Sequence, residues 1–406
     1  MNKISNCEKG SRKQLSTSFR LLLSSEAINR FGDSIDVIAM SWLVYEVSNS
    51  ASLTALNYAV NYIPSIFFTP FCGSYAESHD QKQILVISDY ARFLVIASVA
   101  VLAALHELSA PYILVSTFLI STFEAFHQPC TAAIIPSILD PKDYAAGQSS
   151  SQAISAIATL IGTAVAGSII AWKGAWIGVL IDSLSFLISA ILLSRITQST
   201  CTVEKDTQPN MTCEGIRYLL KNKRLVFLCS TAVLINALAV PYFSLQSVVA
   251  EKILNLGPQI LSAFGAAMAI GSIIGALLYP KIEGTFKPGV LIIFCFVSMG
   301  IMYLLIITKG THIPMFLTIM MFILGIFSAL INTFISVTIL TETKASYLAR
   351  ISALFQAVCV AGNPIASGIV SFALLFTSAT SVFVTCGILS ILSAFILSEY
   401  AFKLKL

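Results

Sequence analysis

The chain is 406 residues long, 56% hydrophobic and only 11% charged, with a formal net charge of +4. A water-soluble domain keeps about a quarter of its residues charged, so this chain lacks the polar surface that solubility requires. The small positive excess is spread over loops rather than gathered in a patch, which argues against a nucleic-acid partner.

Residues 1–19 read as a basic, polar, cytoplasmic tail carrying Lys3, Lys9, Arg12 and Lys13. No small-residue cleavage site follows a short apolar core, so the first apolar run is expected to be the first span and not a leader. Apolar runs at 20–46, 51–75, 83–105, 111–138, 147–171 and 175–197 precede a polar stretch, 198–224. Further runs lie at 225–249, 258–281, 288–308, 312–340, 348–374 and 378–401. Each is roughly long enough to span a hydrocarbon core of about 30 Å, which predicts an all-α membrane protein of about twelve transmembrane helices. The polar stretch is a cytoplasmic central loop between two bundles of about six helices, 20–197 and 225–406, the layout of parallel repeats about an axis along the membrane normal. With the N-terminus inside, every loop lysine and arginine except Lys173, Lys252 and Lys309 falls on the inner side. That asymmetry predicts that both termini are cytoplasmic.

Charge within a span is costly, at least about 2.5–3.5 kcal/mol on insertion scales, and marks a cavity or a pair. The first span carries Glu26, Arg30, Asp33 and Asp36. At about 100° per residue, Glu26, Arg30 and Asp33 share a stripe roughly 60° wide, and Asp36 sits about another 60° round. Arg30 is expected to neutralise Glu26 or Asp33, but it cannot neutralise three carboxylates. A carboxyl left unpaired in low dielectric holds its proton to higher pH, which is what a proton-loading group needs. Asp33, Asp36, Glu26 and Glu124 of the fourth span are the candidates for proton coupling. His127, at i+3 from Glu124, lines a helix contact or relays a proton. Asp89 and Arg92 in the third span form a structural and gating pair, and Asp182 in the sixth span either bonds a neighbouring helix or joins the acids. The C-terminal half offers amides instead of charges: Asn236, Gln246, Asn332, Gln356 and Asn363. With Arg30, Asn61 and His127, the first four of these amides are the candidate cavity wall, although single amides in spans also act as helix–helix glue. Nine cysteines and four histidines, without ligand spacing, suggest small core residues and no metal or cofactor site. No nucleophile–base set or phosphate loop appears, so an enzyme is not expected.

The order of local patterns resembles the major facilitator superfamily, in particular its bacterial drug-efflux branch of macrolide-efflux and siderophore-exporter proteins. The first span has Asn29-Arg30-Phe31-Gly32-Asp33 and Trp42-Leu43-Val44-Tyr45, and the second has Pro64 and Pro70. The loop after it, Gly73-Ser74-Tyr75-Ala76-Glu77-Ser78-His79-Asp80-Gln81-Lys82, stands where the family has Gly-x-x-x-Asp-Arg-x-x-Arg-Lys, with both arginines replaced. Asp89-x-x-Arg92, Phe126-His127-Gln128-Pro129, Ile135-Pro136, Ile181 to Phe186 and Glu214 to Tyr218 also fit that branch. Gly162-Thr163-Ala164-Val165-Ala166-Gly167 resembles the antiporter motif Gly-Pro-x-x-Gly-Gly without its proline.

The resemblance implies a secondary transporter working by alternating access in the bacterial plasma membrane. Gly73, Glu77, Lys82, Asp89 and Arg92 would form its cytoplasmic gate, and Gly162, Thr163, Ala166 and Gly167 the antiporter-like seam. Proton-coupled export of an amphiphilic or cationic small organic molecule is the expected activity, by a monomer in the lipid bilayer. Proton-coupled uptake of a nutrient, or a non-transporting sensor or assembly protein on the same fold, are the alternatives at this point.

Overall fold

The structure, a computed structural model, describes residues 2–139, 144–197, 217, 219–282, 288–308, 313–342 and 345–403. Side chains of some helix residues, among them those of Glu77 and Gln356, lie outside the described residues, as do the surroundings of Gly73. In chain order the long helices are α1 (Asn2–Ser48), α2 (Ala51–Ser78), α3 (Gln81–Ala104), α4 (Ala110–Ile138), α5 (Tyr144–Lys173) and α6 (Ala175–Ser194). They continue as α7 (Lys223–Ser244), α8 (Gln259–Ile282), α9 (Pro288–Ile306), α10 (Ile313–Glu342), α11 (Ala345–Ala373) and α12 (Ala379–Lys403). Each apolar run of the sequence is one of these helices.

The helices overrun the apolar runs where lipid no longer sets the limit. The segment read as a tail is helical from Asn2 and continuous with α1. Conversely, the run expected to reach residue 249 breaks at Ser244, after Pro241, into Gln246–Val248 and a π-helical turn, Val249–Ile253. Proline removes a backbone donor and bends the helix. Among the described residues, 8 helices are long and apolar enough to cross a membrane. The α1 helix is not one of them, because any long window of its span holds several of Glu26, Arg30, Asp33, Asp36 and Glu46.

Local chemistry sets the helix ends. The Asp80 carboxylate accepts from the N–H groups of Lys82 (3.0 Å) and Gln83 (3.3 Å), and Asn222 accepts from those of Arg224 (3.0 Å) and Leu225 (3.4 Å). These are N-caps that satisfy otherwise orphaned donors. Gly174, at φ 94°, makes the abrupt turn from α5 to α6, a conformation that costs other residues steric strain.

The chain forms two compact units, Met1–Ser48 with Ile63–Lys205, and Asn49–Tyr62 with Asp206–Leu406. In the first, α1 packs on α5 and α6, and α3 on α4 and α6. Gly162 lies against the Phe31 carbonyl and Gly32 against Asp182 and Ser185, with no room for a Cβ at either. In the second, α8 packs on α10, and α9 on α10 and α12. Gly271 meets the Phe322 carbonyl, Gly275 that of Ile326, and Gly325 that of Met268. Small residues let helix backbones approach this closely. The first turns of α2 group with the second unit because they are tied to α11. Ser52 Oγ donates to the Ser371 carbonyl (2.8 Å), Ser371 Oγ to the Ser52 carbonyl (2.9 Å), and Ser367 Oγ to the Ala55 carbonyl (2.6 Å).

Candidate functional site

A cavity of about 540 Å³ lies wholly within the first unit. One wall is α1, which contributes Glu26, Asn29, Arg30 and Asp33; Arg92 comes from α3. The rest of the lining is Glu124, His127, Thr131 and Ile135 of α4, and Ser151, Ser155, Ala156 and Thr159 of α5. All but Ile135 and Ala156 are polar. Helix periodicity produces this: Glu26, Arg30 and Asp33 fall on one stripe, and Glu124 and His127 are one turn apart.

Behind the cavity is a buried hub. The Asp89 carboxylate, fully buried, is ion-paired with Arg92, whose guanidinium lies 4.1 Å over the Phe186 ring. Ser189 Oγ donates to Asp89 Oδ2 at 2.5 Å, and Asn29 Nδ2 donates to the same oxygen at 3.4 Å. His127 Nε2 stands 3.7 Å from Asp89 Oδ1, and its Nδ1 is 3.3 Å from Thr131 Oγ1. One carboxylate thus gathers groups from α1, α3, α4 and α6. A charge in low dielectric is tolerated when paired and hydrogen-bonded in this way.

On the cavity side, Arg30 pairs with Asp33 at 3.7 Å, while Glu26 accepts from Ser151 Oγ at 2.6 Å. Of the two partners open to Arg30 in the sequence, Asp33 is therefore the one it takes. Asp36 does not line the cavity. It lies about 40° round α1 from Gly32, and Gly32 abuts Asp182, so Asp36 is turned toward α6. Its Oδ1 is buried and has no hydrogen-bond partner among the described residues. Asp182 is 1% exposed and is held by Ser185 Oγ, 3.3 Å from its Oδ1.

Of the residues read as a cytoplasmic gate, Lys82, Asp89 and Arg92 can be placed. Asp89 and Arg92 are buried in the hub, and Arg92 reaches the cavity. Lys82 lies in the first turn of α3, about 10 Å along the helix from Asp89. The surroundings of Gly73 and the side chain of Glu77 are outside the described residues. Of the antiporter-like motif, Gly162, Ala166 and Gly167 are buried and Thr163 is partly buried. Of the amides, Asn61 is exposed, Asn236 partly buried, Gln246 buried, and Asn332 exposed with its Nδ2 3.5 Å from Ser328 Oγ. The Gln356 side chain is outside the described residues. A void of about 30 Å³ in the second unit is lined by Met268, Met299, Met302, Tyr303 and other largely apolar residues, and by none of these amides.

Sequence reasoning passed over Ser151, Ser155, Thr159 and Ser189, and met Asn29 and Phe186 only as parts of family-like motifs. The hydroxyls of α5 left a trace of their own, a polar residue at every fourth position from Ser151 to Thr159.

Residues 14–405 match the profile of a family described as transmembrane secretion effectors. The chain is 24% identical over 287 residues to macrolide efflux protein A of Streptococcus pyogenes, covering 69% of this chain and 70% of that one. It is 26% identical over 270 residues to the staphyloferrin A transporter of Staphylococcus aureus, covering 65% and 67%. Its fold is similar to the crystal structure of the nucleoside transporter NupG, with a TM-score of 0.76 at 14% identity, covering 95% of this chain and 99% of that one.

Proposed function

This chain belongs to the transmembrane secretion effector family of the major facilitator superfamily, and from that premise we propose that it is a proton-coupled exporter of an amphiphilic or cationic small organic molecule. It is read as crossing a bacterial plasma membrane about twelve times with both termini cytoplasmic, in keeping with the length of its helices and its loop charges.

One observation carries the reading. The first-unit cavity holds three carboxylates, Glu26, Asp33 and Glu124, against two cations, and one of those, Arg92, is committed to Asp89. The remaining cation, Arg30, pairs with Asp33. A chamber with surplus acid groups attracts a cation and can exchange it for protons, because protonation and substrate compete for the same negative charge. Asp33 and Glu124 are assigned both tasks. Asp36, behind them, is assigned proton binding only. Alternating access then couples the downhill proton to the uphill cation. A relative named for macrolide efflux supports the outward direction, and it and one named for transport of staphyloferrin A support an organic cargo.

The test is uphill accumulation of ethidium in inverted membrane vesicles energised by a proton gradient. Glu124→Gln and Asp36→Asn are each expected to abolish it while leaving the protein in the membrane. Accumulation at the wild-type level in both variants, or accumulation that survives a proton uncoupler, ends the assignment.

A further inference from the structure

On α5 the cavity presents Ser151, Ser155 and Thr159 at i, i+4 and i+8, a rise of about 12 Å along one face. Hydroxyls in helices ordinarily satisfy themselves on the carbonyl one turn back, and this chain follows the habit elsewhere. Ser34 donates to the Arg30 carbonyl (2.6 Å), Thr231 to that of Phe227 (2.9 Å) and Thr333 to that of Ala329 (2.8 Å). On this stripe the habit fails. Ser151 is turned to Glu26, and Ser155 and Thr159 donate to no group among the described residues. Their hydroxyls are left for whatever fills the chamber, which Glu26, Asp33 and Glu124 also line.

Resting on the export reading, we infer that this stripe selects the cargo. The substrate class is an organic amine that also carries hydroxyl groups, its ammonium held by Asp33 and Glu124 and its hydroxyls by Ser155 and Thr159. A site built to hydrogen-bond a hydroxyl discriminates against an analogue without one, because its own polar groups are then left unpaired. A cation of aromatic rings alone would displace water from Ser155 and Thr159 and return nothing.

The experiment compares two fluorescent cations in the same energised inverted vesicles: doxorubicin, which has a protonated amino sugar and hydroxyls, and ethidium, which has no hydroxyl. Wild type is expected to favour doxorubicin in kcat/KM. The double variant Ser155→Ala/Thr159→Val is expected to lower the doxorubicin-to-ethidium ratio at least fivefold, and Thr159→Ser alone to keep it. Simple loss of folding would depress both probes and leave the ratio unmoved. An unchanged ratio in a double variant that still exports ethidium at the wild-type rate, or a wild type that exports ethidium alone, overturns the inference while the export reading stands. A wild type that moves neither cation overturns both.

Discussion

Asp89 and Arg92 face each other one helical turn apart on α3 with almost no contact with water, their side chains 0% and 4% exposed. Pairing at this depth makes each dependent on the other. Removing one partner of a buried pair leaves an uncompensated charge, which costs about 3–5 kcal/mol, whereas replacing both with apolar groups is often neutral. Asp89→Ala is therefore expected to destabilise the detergent-purified protein by about that much in thermal or denaturant unfolding. Asp89→Ala/Arg92→Leu should recover most of the loss. A single variant that melts with the wild type would mean that Arg92 finds another counter-ion.

Two glycines separate packing from helix propensity. Replacing a helical glycine with alanine stabilises by about 0.5–1 kcal/mol when nothing opposes the new methyl. At Gly368 of α11 nothing lies within 4 Å of the added carbon, so Gly368→Ala should raise the melting temperature. At Gly325 of α10 the same carbon runs into the Met268 carbonyl of α8, which is backbone and cannot swing away. Overpacking of this kind costs about 1–3 kcal/mol, so Gly325→Ala should lower the melting temperature. Shifts of the same sign in both variants would contradict the α8–α10 contact.

The fold and the site were partly visible in the sequence. Hydropathy located each helix, since lipid imposes its own length on the apolar runs. The periodicity of α1 put Glu26, Arg30 and Asp33 together and set Asp36 apart, and the cavity is lined by the first three and not the fourth. What periodicity cannot reach is contact between distant segments. Asn29 and Ser189 meet at Asp89 across 60 and 100 residues, and no local pattern marks either as its partner. The serines joining the start of α2 to α11 are 319 residues apart, so no local pattern marks the grouping of Asn49–Tyr62 with the second unit. For the amides of the second half the sequence is silent in the same way: a polar residue in a span signals that it needs a partner, and local pattern does not say which.

The two units also differ in what ties their helices together. Where the first unit uses a charged hub, Tyr303 of α9 donates to the Leu238 carbonyl of α7 and stacks on Phe383 of α12, with ring centroids 5.7 Å apart. A neutral tie should be cheaper to trim. Tyr303→Phe keeps the stacked ring and loses one hydrogen bond, an expected cost of about 1 kcal/mol. Tyr303→Ala empties a fully buried site and should cost about 3–5 kcal/mol, as for other large aromatic truncations. Unfolding of the two variants side by side checks this. Equal losses would show that the hydroxyl, not the ring, carries the joint.

Arg30 provides the test that separates the cavity's electrostatics from its architecture. Its pair with Asp33 spans 3.7 Å, with side chains 45% and 33% exposed, and solvent screening limits such pairs to below about 1 kcal/mol of stability. Arg30→Ala should therefore melt close to the wild type. The field in the chamber is another matter, because Arg30 is the cation there that no buried carboxylate claims. Two unit charges about 4 Å apart in water interact by about 1 kcal/mol, equivalent to roughly a fivefold change in affinity. Removing the repulsion should lower the KM of a cationic probe such as ethidium by about that factor, and the gain should shrink as salt screens the exposed charges. Arg30→Lys, which keeps the charge, should leave the KM near its original value. A KM that rises or stays fixed in Arg30→Ala would mean that the transported cation does not pass within reach of Asp33.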